Sequence, residues 1–254
     1  MLEVRGLTKR YRSIPAVEDV SFVLHPGELC GYLGPNGSGK TTTIKILTGL
    51  LPASEGDVLY RGEPVRQFLV DYKRLIGYVP EEPYLYGYLT GAEYLELAGE
   101  LRLIPAARLR LKIDQFLRLF SLDGDRYSPL SAYSKGMKQK ILLAAALLHD
   151  PEIVILDEPF AGLDVSSALV LKQLLRSLAS AGKIVLYSSH VLEVVEKVCG
   201  RVIILHRGSI VADDSVARLR DLMRLPNLER IFAQLAVDQD AEEVAGDLMK
   251  AMRA

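Results

Sequence analysis

Several features are scarce or absent in this sequence of 254 residues. There is no tryptophan, and 31 Lys and Arg residues are balanced by 32 Asp and Glu residues, which leaves a net charge of −1. This balance gives no electrostatic reason to expect nucleic-acid binding, and we predict no nucleic-acid partner. The two cysteines, Cys30 and Cys199, offer neither a metal-binding spacing nor a disulfide framework.

Long apolar runs are missing as well. The longest strongly apolar segment, residues 141–148, is far shorter than the roughly 18 uncharged residues that a membrane-spanning helix requires. Residues 1–5 lack the apolar core of a signal peptide. We therefore expect a soluble chain, so that any membrane span belongs to another chain. The composition that is present, 49% hydrophobic and 25% charged residues, is that of an ordinary globular protein.

Residues 34–41 match the phosphate-binding pattern G-x-x-x-x-G-K-[ST]. They follow an apolar run, residues 29–33, that is typical of a short buried strand, and they precede a predicted helix start at 42–47. Glycines let backbone N–H groups approach phosphate oxygens, and the helix N-terminus adds the positive end of its dipole. Lys40 can reach the β and γ phosphates, and the Thr41 hydroxyl can bind Mg²⁺. The strand–loop–helix context favours a nucleotide site over a chance match.

Acidic residues follow two further predicted strands. Four apolar residues, 153–156, predict a central strand of a parallel sheet, and Asp157 and Glu158 come directly after it. Ligands bind at the carboxyl ends of such strands, which suggests Asp157 for the Mg²⁺ shell and Glu158 for polarising a water. Glu81 follows the predicted strand 75–80, where it either contacts Mg²⁺ or a water or belongs to a solvated acidic turn.

The rest of the chain is predicted to be mixed. Residues 84–148 are expected to be mostly helical, with a capping box at Thr90–Glu93 and a last helix at 141–148 that follows the polar residues 133–140. The cluster Tyr84, Tyr86, Tyr88 and Tyr94 forms either a docking groove for a partner helix or internal packing, which is the simpler explanation for Tyr94. Residues 214–254 are expected to be an amphipathic helical appendage.

Taken in order, these features resemble an ATP-binding cassette (ABC) ATPase over about residues 2–235. The matching segments are the adenine-stacking aromatic at Tyr11, the Walker A loop at 34–41, the Q-loop position at Glu81, the signature (usually L-S-G-G-Q) at 133–137, Walker B at 153–158, the D-loop at 161–164 and the switch histidine at His190. Without this order, Tyr11 would be an ordinary surface tyrosine. The signature, D-loop and histidine are more specific than the two Walker motifs.

The resemblance implies the fold and the ligands. The expected fold is α/β: a P-loop NTPase core with a mostly parallel central sheet, an N-terminal antiparallel β-subdomain and an inserted α-helical subdomain at about 84–148. One ABC domain would span 1–235, with a helical appendage at 236–254. ATP and Mg²⁺ are the implied ligands. The implied ATP contacts are Tyr11, Gly34, Pro35, Asn36, Gly37, Ser38, Gly39, Lys40, Thr41 and Thr42. Mg²⁺ would bind Thr41, Asp157 and Glu81, and catalysis would rest on Glu158, His190 and Lys40.

The resemblance also implies partners. The family works as a head-to-tail dimer, here expected to be a homodimer, in which each ATP lies between Walker A of one subunit and the signature of the other. The signature residues Ser134, Lys135, Gly136 and Met137 would contact the partner's ATP, and Asp164 would contact the partner across the dimer. A membrane subunit on a separate chain is expected to dock near Tyr84–Tyr88, which would place this chain in the cytoplasm, peripheral on the inner face of the cell membrane.

Two positions depart from the family pattern. Lys135 stands at the first glycine of the signature, a form that resembles the subset serving ABC-2-type exporters. Glu81 replaces the Q-loop glutamine; an ionised carboxylate still binds Mg²⁺, but it cannot donate a hydrogen bond.

The alternative to a transporter subunit is an ABC ATPase that acts without a membrane partner, such as a translation or assembly factor. Those proteins usually carry two cassettes in one chain, and this chain has one. An SMC-type ATPase needs a long coiled-coil insertion between Walker A and the signature, for which there is no room. A GTPase needs an N-K-x-D motif, and neither Asn36 nor Asn227 precedes a lysine.

Overall fold

Two β-sheets and a set of helices form the protein, which the computed structural model describes for residues 1–189 and 192–236. In chain order the strands are β1 (Leu2–Tyr11), β2 (Ile14–Leu24), β3 (Leu29–Leu33), β4 (Glu55–Tyr60), β5 (Glu63–Pro64), β6 (Ile76–Val79), β7 (Ile153–Asp157), β8 (Ile184–Ser188), β9 (Arg201–His206) and β10 (Ser209–Ser215). The helices are α1 (Lys40–Leu47), α2 (Leu69–Arg74), α3 (Gly91–Leu101), α4 (Ala106–Leu119), α5 (Lys135–Leu147), α6 (Val165–Ser180), α7 (Leu192–Val198), α8 (Val216–Met223) and α9 (Leu228–Ala236).

The larger sheet has six strands in the order β10-β9-β3-β8-β7-β6. All neighbours are parallel except β10, which is antiparallel to β9. Every residue of β3, β7 and β8 is buried, as expected for strands that carry apolar side chains on both faces and are covered by helices. The predicted mostly parallel sheet is confirmed. Because β3, β7 and β8 are adjacent, their carboxyl ends meet at one edge, where Asp157 pairs with Ser188.

The smaller sheet has the order β2-β1-β4-β5 and is antiparallel throughout, which confirms the predicted N-terminal antiparallel part. It shares a buried apolar cluster with one face of the larger sheet. That cluster includes Leu2 and Phe22 from the small sheet, Tyr32 from β3, and Ile44 and Leu47 from α1. Side chains of both sheets therefore pack against helix α1, and this packing fixes the position of the loop that precedes it.

The helical part between β6 and β7 has a core of its own. Leu95, Leu117, Leu130 and Ile141 are among its fully buried residues. The predicted capping box is present: the Thr90 hydroxyl accepts a hydrogen bond from the Glu93 N–H at 3.2 Å, and the Glu93 carboxylate accepts one from the Thr90 N–H at 2.8 Å. The predicted inserted helical subdomain is confirmed, and no helix of the described residues is long and apolar enough to cross a bilayer.

The four tyrosines of this part have two environments. Tyr94 packs against the helical core, in line with the simpler explanation. Tyr84, Tyr86 and Tyr88 are exposed. The internal-packing alternative therefore holds only for Tyr94.

Two predicted segments differ in the structure. Helix α5 begins at Lys135, six residues before the predicted start at 141. The Ser134 hydroxyl caps it by accepting a hydrogen bond from the Met137 N–H at 3.2 Å, so the polar residues after Ser134 belong to the helix.

The segment from 214 onward is also not an appendage as far as it is described. Leu228 and Ile231 of α9 are fully buried in the cluster beneath the other face of the larger sheet. The polar, amphipathic pattern of residues 214–254 predicts a peripheral location instead. Residues 237–254, which are all but the first residue of the appendage predicted at 236–254, lie outside the described residues, as does His190.

Candidate functional site

A cavity of about 680 Å³ lies at the carboxyl edge of the larger sheet. Every predicted ATP contact from Gly34 to Thr42 lines it except Ser38, and so do Glu81, Asp157 and Glu158. The loop follows β3, Asp157 is the last residue of β7, and Glu158 comes directly after it. The topology of the sheet therefore brings the loop and these two acids together. The structure thus brings the loop and all three acids together in one cavity.

The loop backbone is shaped by glycines at its two ends. A Cβ at Gly34 would lie 2.4 Å from both the Leu205 carbonyl oxygen and the Ser38 hydroxyl. At Gly39 the φ angle is +104°, and a Cβ would lie 2.5 Å from the Ala16 carbonyl oxygen. A side chain at either position would collide with backbone and change the path of the loop. The backbone N–H groups can therefore line the cavity at close range, which suits a phosphate.

Lys40 starts α1 and is almost completely buried. Its ammonium donates hydrogen bonds to the carbonyl oxygens of Gly34 at 2.6 Å and Pro35 at 3.0 Å. Burial lowers its pKa, whereas the nearby carboxylates of Glu158, Asp157 and Glu81 oppose that shift. The side chain is anchored over the loop with a donor left for a further acceptor.

Three carboxylates converge on the cavity opposite this lysine. Burial raises the pKa of the Asp157 carboxyl, and the neighbouring Glu81 and Glu158 raise it further, whereas the nearby Ser188 hydroxyl and Lys40 oppose that rise. The Thr41 hydroxyl lies 3.4 Å from Asp157 Oδ2. A second hydroxyl, that of Ser189, lies 3.4 Å from Glu158 Oε2.

These oxygens fit a magnesium ion. A hydroxyl and a carboxylate are hard ligands, and Mg²⁺ in nucleotide sites uses one or two protein groups together with phosphate and water oxygens. Within residues 1–189 and 192–236 no group of three or more His, Cys, Asp or Glu side chains is arranged as a metal cage. The site therefore has the donors for a shared Mg²⁺ rather than for one held by protein alone.

Some predicted residues are not in the cavity. Tyr11, at the end of β1, is half exposed with the Lys9 ammonium 5.7 Å from its ring centre, and it does not line the cavity. The Ser38 side chain is buried beside Gly34, and its N–H donates to the Pro35 carbonyl oxygen at 3.1 Å. His190 lies outside the described residues.

Two residues that the sequence interpretation missed do line the cavity, Ala16 and Phe232. Ala16 reaches the cavity because β2 contacts the loop, and Phe232 reaches it through the packing of α9. Neither belongs to a local motif, so only the tertiary structure reveals them.

The predicted signature and D-loop residues lie on a different surface of the same chain. Ser134 caps α5, and none of the residues from Ser134 to Met137 lines the cavity. Asp164 caps α6 by accepting hydrogen bonds from the Ser167 N–H at 2.8 Å and hydroxyl at 2.7 Å. These bonds lower the pKa of Asp164 to about 2. One chain alone thus does not bring the signature to its own phosphate loop.

Comparison with known proteins agrees with this site. The family model described as "ABC transporter" matches residues 17–161. An uncharacterized ABC transporter ATP-binding protein of Nostoc is 40% identical over 210 residues; the match covers 82% of this chain and 62% of that protein. This chain therefore spans a little less than two thirds of that relative's length.

Solved structures match over most of the chain. An ATP binding subunit of an ABC transporter has a TM-score of 0.87 and 34% identity, and the match covers 92% of this chain and 99% of that one. A dimeric ATP-binding cassette in a post-hydrolysis state, bound to ADP and Pi, has a TM-score of 0.79 and 26% identity over 85% of this chain and 98% of that one.

Proposed function

This chain belongs to the ABC transporter family of ATP-binding proteins, and from that membership we propose that it hydrolyses ATP to drive a membrane transporter. The predicted resemblance to ABC ATPases is confirmed at the level of the family. The observation that carries the proposal is the cavity in which the glycine loop, Lys40, Asp157 and Glu158 meet. Phosphate binding, metal binding and a general base are the three functions that ATP hydrolysis requires of a protein.

The residues of the cavity divide these functions. The loop amides and Lys40 hold the phosphates, and Thr41 and Asp157 hold Mg²⁺, with Glu81 beside them. When bound, the metal neutralises negative charge on the phosphate oxygens. Glu158 accepts the proton of the attacking water. His190 remains the proposed contact to the γ-phosphate and Tyr11 the proposed contact to adenine.

We propose that the working unit is a dimer. The signature residues need a phosphate that their own chain does not bring to them, and a second copy in head-to-tail orientation would supply it. The structural neighbour with ADP and Pi is dimeric, which supports this arrangement. In it, Ser134 and Gly136 contact the partner's ATP and Asp164 lies at the interface. ATP would favour the closed dimer and hydrolysis would release it, so the cycle shifts the populations of open and closed forms.

The membrane partner is proposed to be an ABC-2-type exporter on a separate chain. The support is the signature Tyr-Ser-Lys-Gly-Met, with Lys135 at the first glycine position. Exposed Tyr84, Tyr86 and Tyr88 lie close in sequence to Glu81 of the cavity, which makes them the proposed docking site. This places the protein at the inner face of the membrane, and the transported substrate is chosen by the membrane subunit.

The Glu158→Gln variant tests the proposal. Removing the general base should lower ATP hydrolysis by about a hundredfold or more, while ATP binding persists. Because the γ-phosphate then stays in place, the variant with ATP should elute as a stable dimer on a sizing column. Glu96→Gln, on the exposed face of α3, is the matched control and should behave as the unsubstituted protein. Loss of ATP binding, or unchanged hydrolysis, in Glu158→Gln would contradict the assignment.

A further inference from the structure

The backbone at Glu158 is in a conformation that must be held in place. Its φ angle is +49°, in the left-handed region that residues with a side chain rarely adopt. Such strained positions persist only where the surrounding structure over-determines them. The Glu158 N–H donates to the Ser188 carbonyl oxygen at 3.1 Å, and the Glu158 carbonyl accepts from the Ala161 N–H at 3.1 Å. The first bond ties Glu158 to β8, and the second closes the following turn.

A third hydrogen bond reaches this turn from α5. Gln139 is 1% exposed, and its side-chain amide donates to the Pro159 carbonyl oxygen at 3.2 Å. Proline has no N–H, so its carbonyl is the backbone group through which this residue can be held. Burying a side-chain amide without a hydrogen bond costs free energy, and the bond to Pro159 avoids that cost for Gln139. Gln139 therefore holds the carbonyl group of Pro159, the residue that directly follows the proposed general base.

Residues on either side of Gln139 show that helix α5 packs along the segment 159–164. At one end of the helix, Gly136 lies so close to Gly162 that a Cβ at position 136 would be 2.6 Å from the Gly162 carbonyl oxygen. The Lys140 ammonium lies 3.7 Å from Asp164 Oδ2. Residues 136, 139 and 140 share one face of the helix, since positions three and four apart are neighbours. The turn after Glu158 is thus seated on a single helix face.

We propose that Gln139 is a positioning residue for ATP hydrolysis, which acts by holding the Pro159 carbonyl and through it the orientation of the Glu158 carboxylate. The proposal rests on the proposed function, since it takes Glu158 as the general base. Gln139 is buried and does not line the cavity, so its replacement removes no contact with the ATP that its own chain binds. Its effect belongs to the proton-transfer step alone.

The Gln139→Met variant tests this role. Methionine has a similar length and no branching, so it fills the same space, but it cannot donate to the Pro159 carbonyl. Loss of one hydrogen bond at the catalytic step should lower kcat about tenfold, with KM and ATP affinity within about twofold of their original values. Gln115→Met, on the exposed face of α4, makes the same chemical change elsewhere and should leave kcat unchanged. Gln139→Leu, which is apolar, similar in size and likewise unable to donate, should reproduce the loss and serves if Gln139→Met does not fold.

A merely structural role would give a different result in a second background. If Gln139 acts through Glu158, then Gln139→Met should not reduce the residual hydrolysis of Glu158→Gln further. An unchanged kcat in a folded Gln139 variant, or the same fold loss with and without Glu158, would overturn the proposal. If Glu158→Gln alone keeps full hydrolysis, the proposed general base is wrong and the role of Gln139 is overturned with it. The single variants thus separate failure of the proposed function from failure of the Gln139 inference.

Discussion

At the residue scale, Asp157 carries a charge that the folded chain disfavours. It is buried at the end of β7, and its pKa is raised by that burial and by Glu81 and Glu158 nearby. A raised carboxyl pKa means that the ionised form is less stable in the folded state than in the unfolded state. The buried charge of Asp157 thus lowers the stability of the folded protein, and a bound cation would compensate for it.

Asp157→Asn should therefore stabilise the protein in the absence of nucleotide and Mg²⁺. Asparagine keeps the volume and one acceptor oxygen but removes the buried charge, so we expect the free energy of unfolding at neutral pH to rise by about 1 kcal/mol. Urea unfolding measures this, and Mg²⁺-dependent ATP hydrolysis should be lost in the same variant. Asp123→Asn, an exposed carboxylate in the helical part, should change neither. A fall in stability for Asp157→Asn would show that the buried charge of Asp157 does not destabilise the folded protein.

The residues of the cavity differ in how far the sequence reveals them. Lys40, Thr41, Asp157 and Glu158 are found because each lies within a short motif whose chemistry is set by neighbours along the chain. Phe232 is not, because it reaches the cavity through the packing of α9 against distant elements. Gln139 lies two residues after the signature in the sequence. Its hydrogen-bond partner Pro159 is 20 residues further along the chain, and only the fold brings the two together.

At the element scale, His149 joins the end of α5 to the sheet. Its Nε2 lies 3.0 Å from the carbonyl oxygen of Ile76, the first residue of β6, so Nε2 carries the proton of the neutral ring. Nδ1 is buried with no hydrogen-bond partner among the residues that the structure describes. Burial lowers the pKa of His149 to about 4; Arg102 and Lys112 add to the shift, whereas the Ile76 hydrogen bond and Asp150 oppose it.

Acid should therefore weaken the protein through His149. Because its pKa is about 4 when folded and about 6.5 when unfolded, the unfolded state binds the proton first. We expect the stability to be full well above pH 6.5 and to fall by about 3 kcal/mol as the pH decreases to 4. His149→Gln keeps a donor for Ile76 but does not titrate, so urea unfolding between pH 7 and 4.5 should show a shallower loss. The exposed His25→Gln should retain the original slope, and identical slopes for all three proteins would exclude His149 as the cause.

Elements were predicted best where their local pattern and their burial agree. The strands β3, β7 and β8 are apolar along their whole length, and the structure buries every residue of them. Helix α5 was predicted six residues short because its first two turns are polar, although its buried Gln139 and the Ser134 cap show that they are helical. Helix α9 has an apolar stripe that includes Leu228 and Ile231, but the sequence does not say what this stripe packs against, so it predicts only a peripheral amphipathic helix.

At the scale of the whole molecule, the segment from Glu81 to Tyr88 links the cavity to an exposed aromatic surface. Glu81 lines the cavity, and a few residues later Tyr84, Tyr86 and Tyr88 are 81%, 55% and 78% exposed. The rings of Tyr86 and Tyr88 lie 6.0 Å apart, so they form one patch. Exposed aromatic clusters are typical of protein interfaces, where they carry much of the binding energy. The patch is therefore the surface on which we propose that a membrane subunit docks.

Replacing Tyr84, Tyr86 and Tyr88 together by serine should separate docking from folding. Their side chains are mostly in solvent, so the free energy of unfolding of the isolated chain should change by no more than about 0.5 kcal/mol. Loss of aromatic anchors usually costs 2 kcal/mol or more in binding, roughly 30-fold in affinity, so a coexpressed membrane subunit should no longer copurify. Tyr127→Ser, at a tyrosine that is 77% exposed elsewhere in the helical part, controls for the loss of any surface ring. Undiminished copurification of the triple variant would move the docking site elsewhere, because no interface built on these rings tolerates the loss of all three.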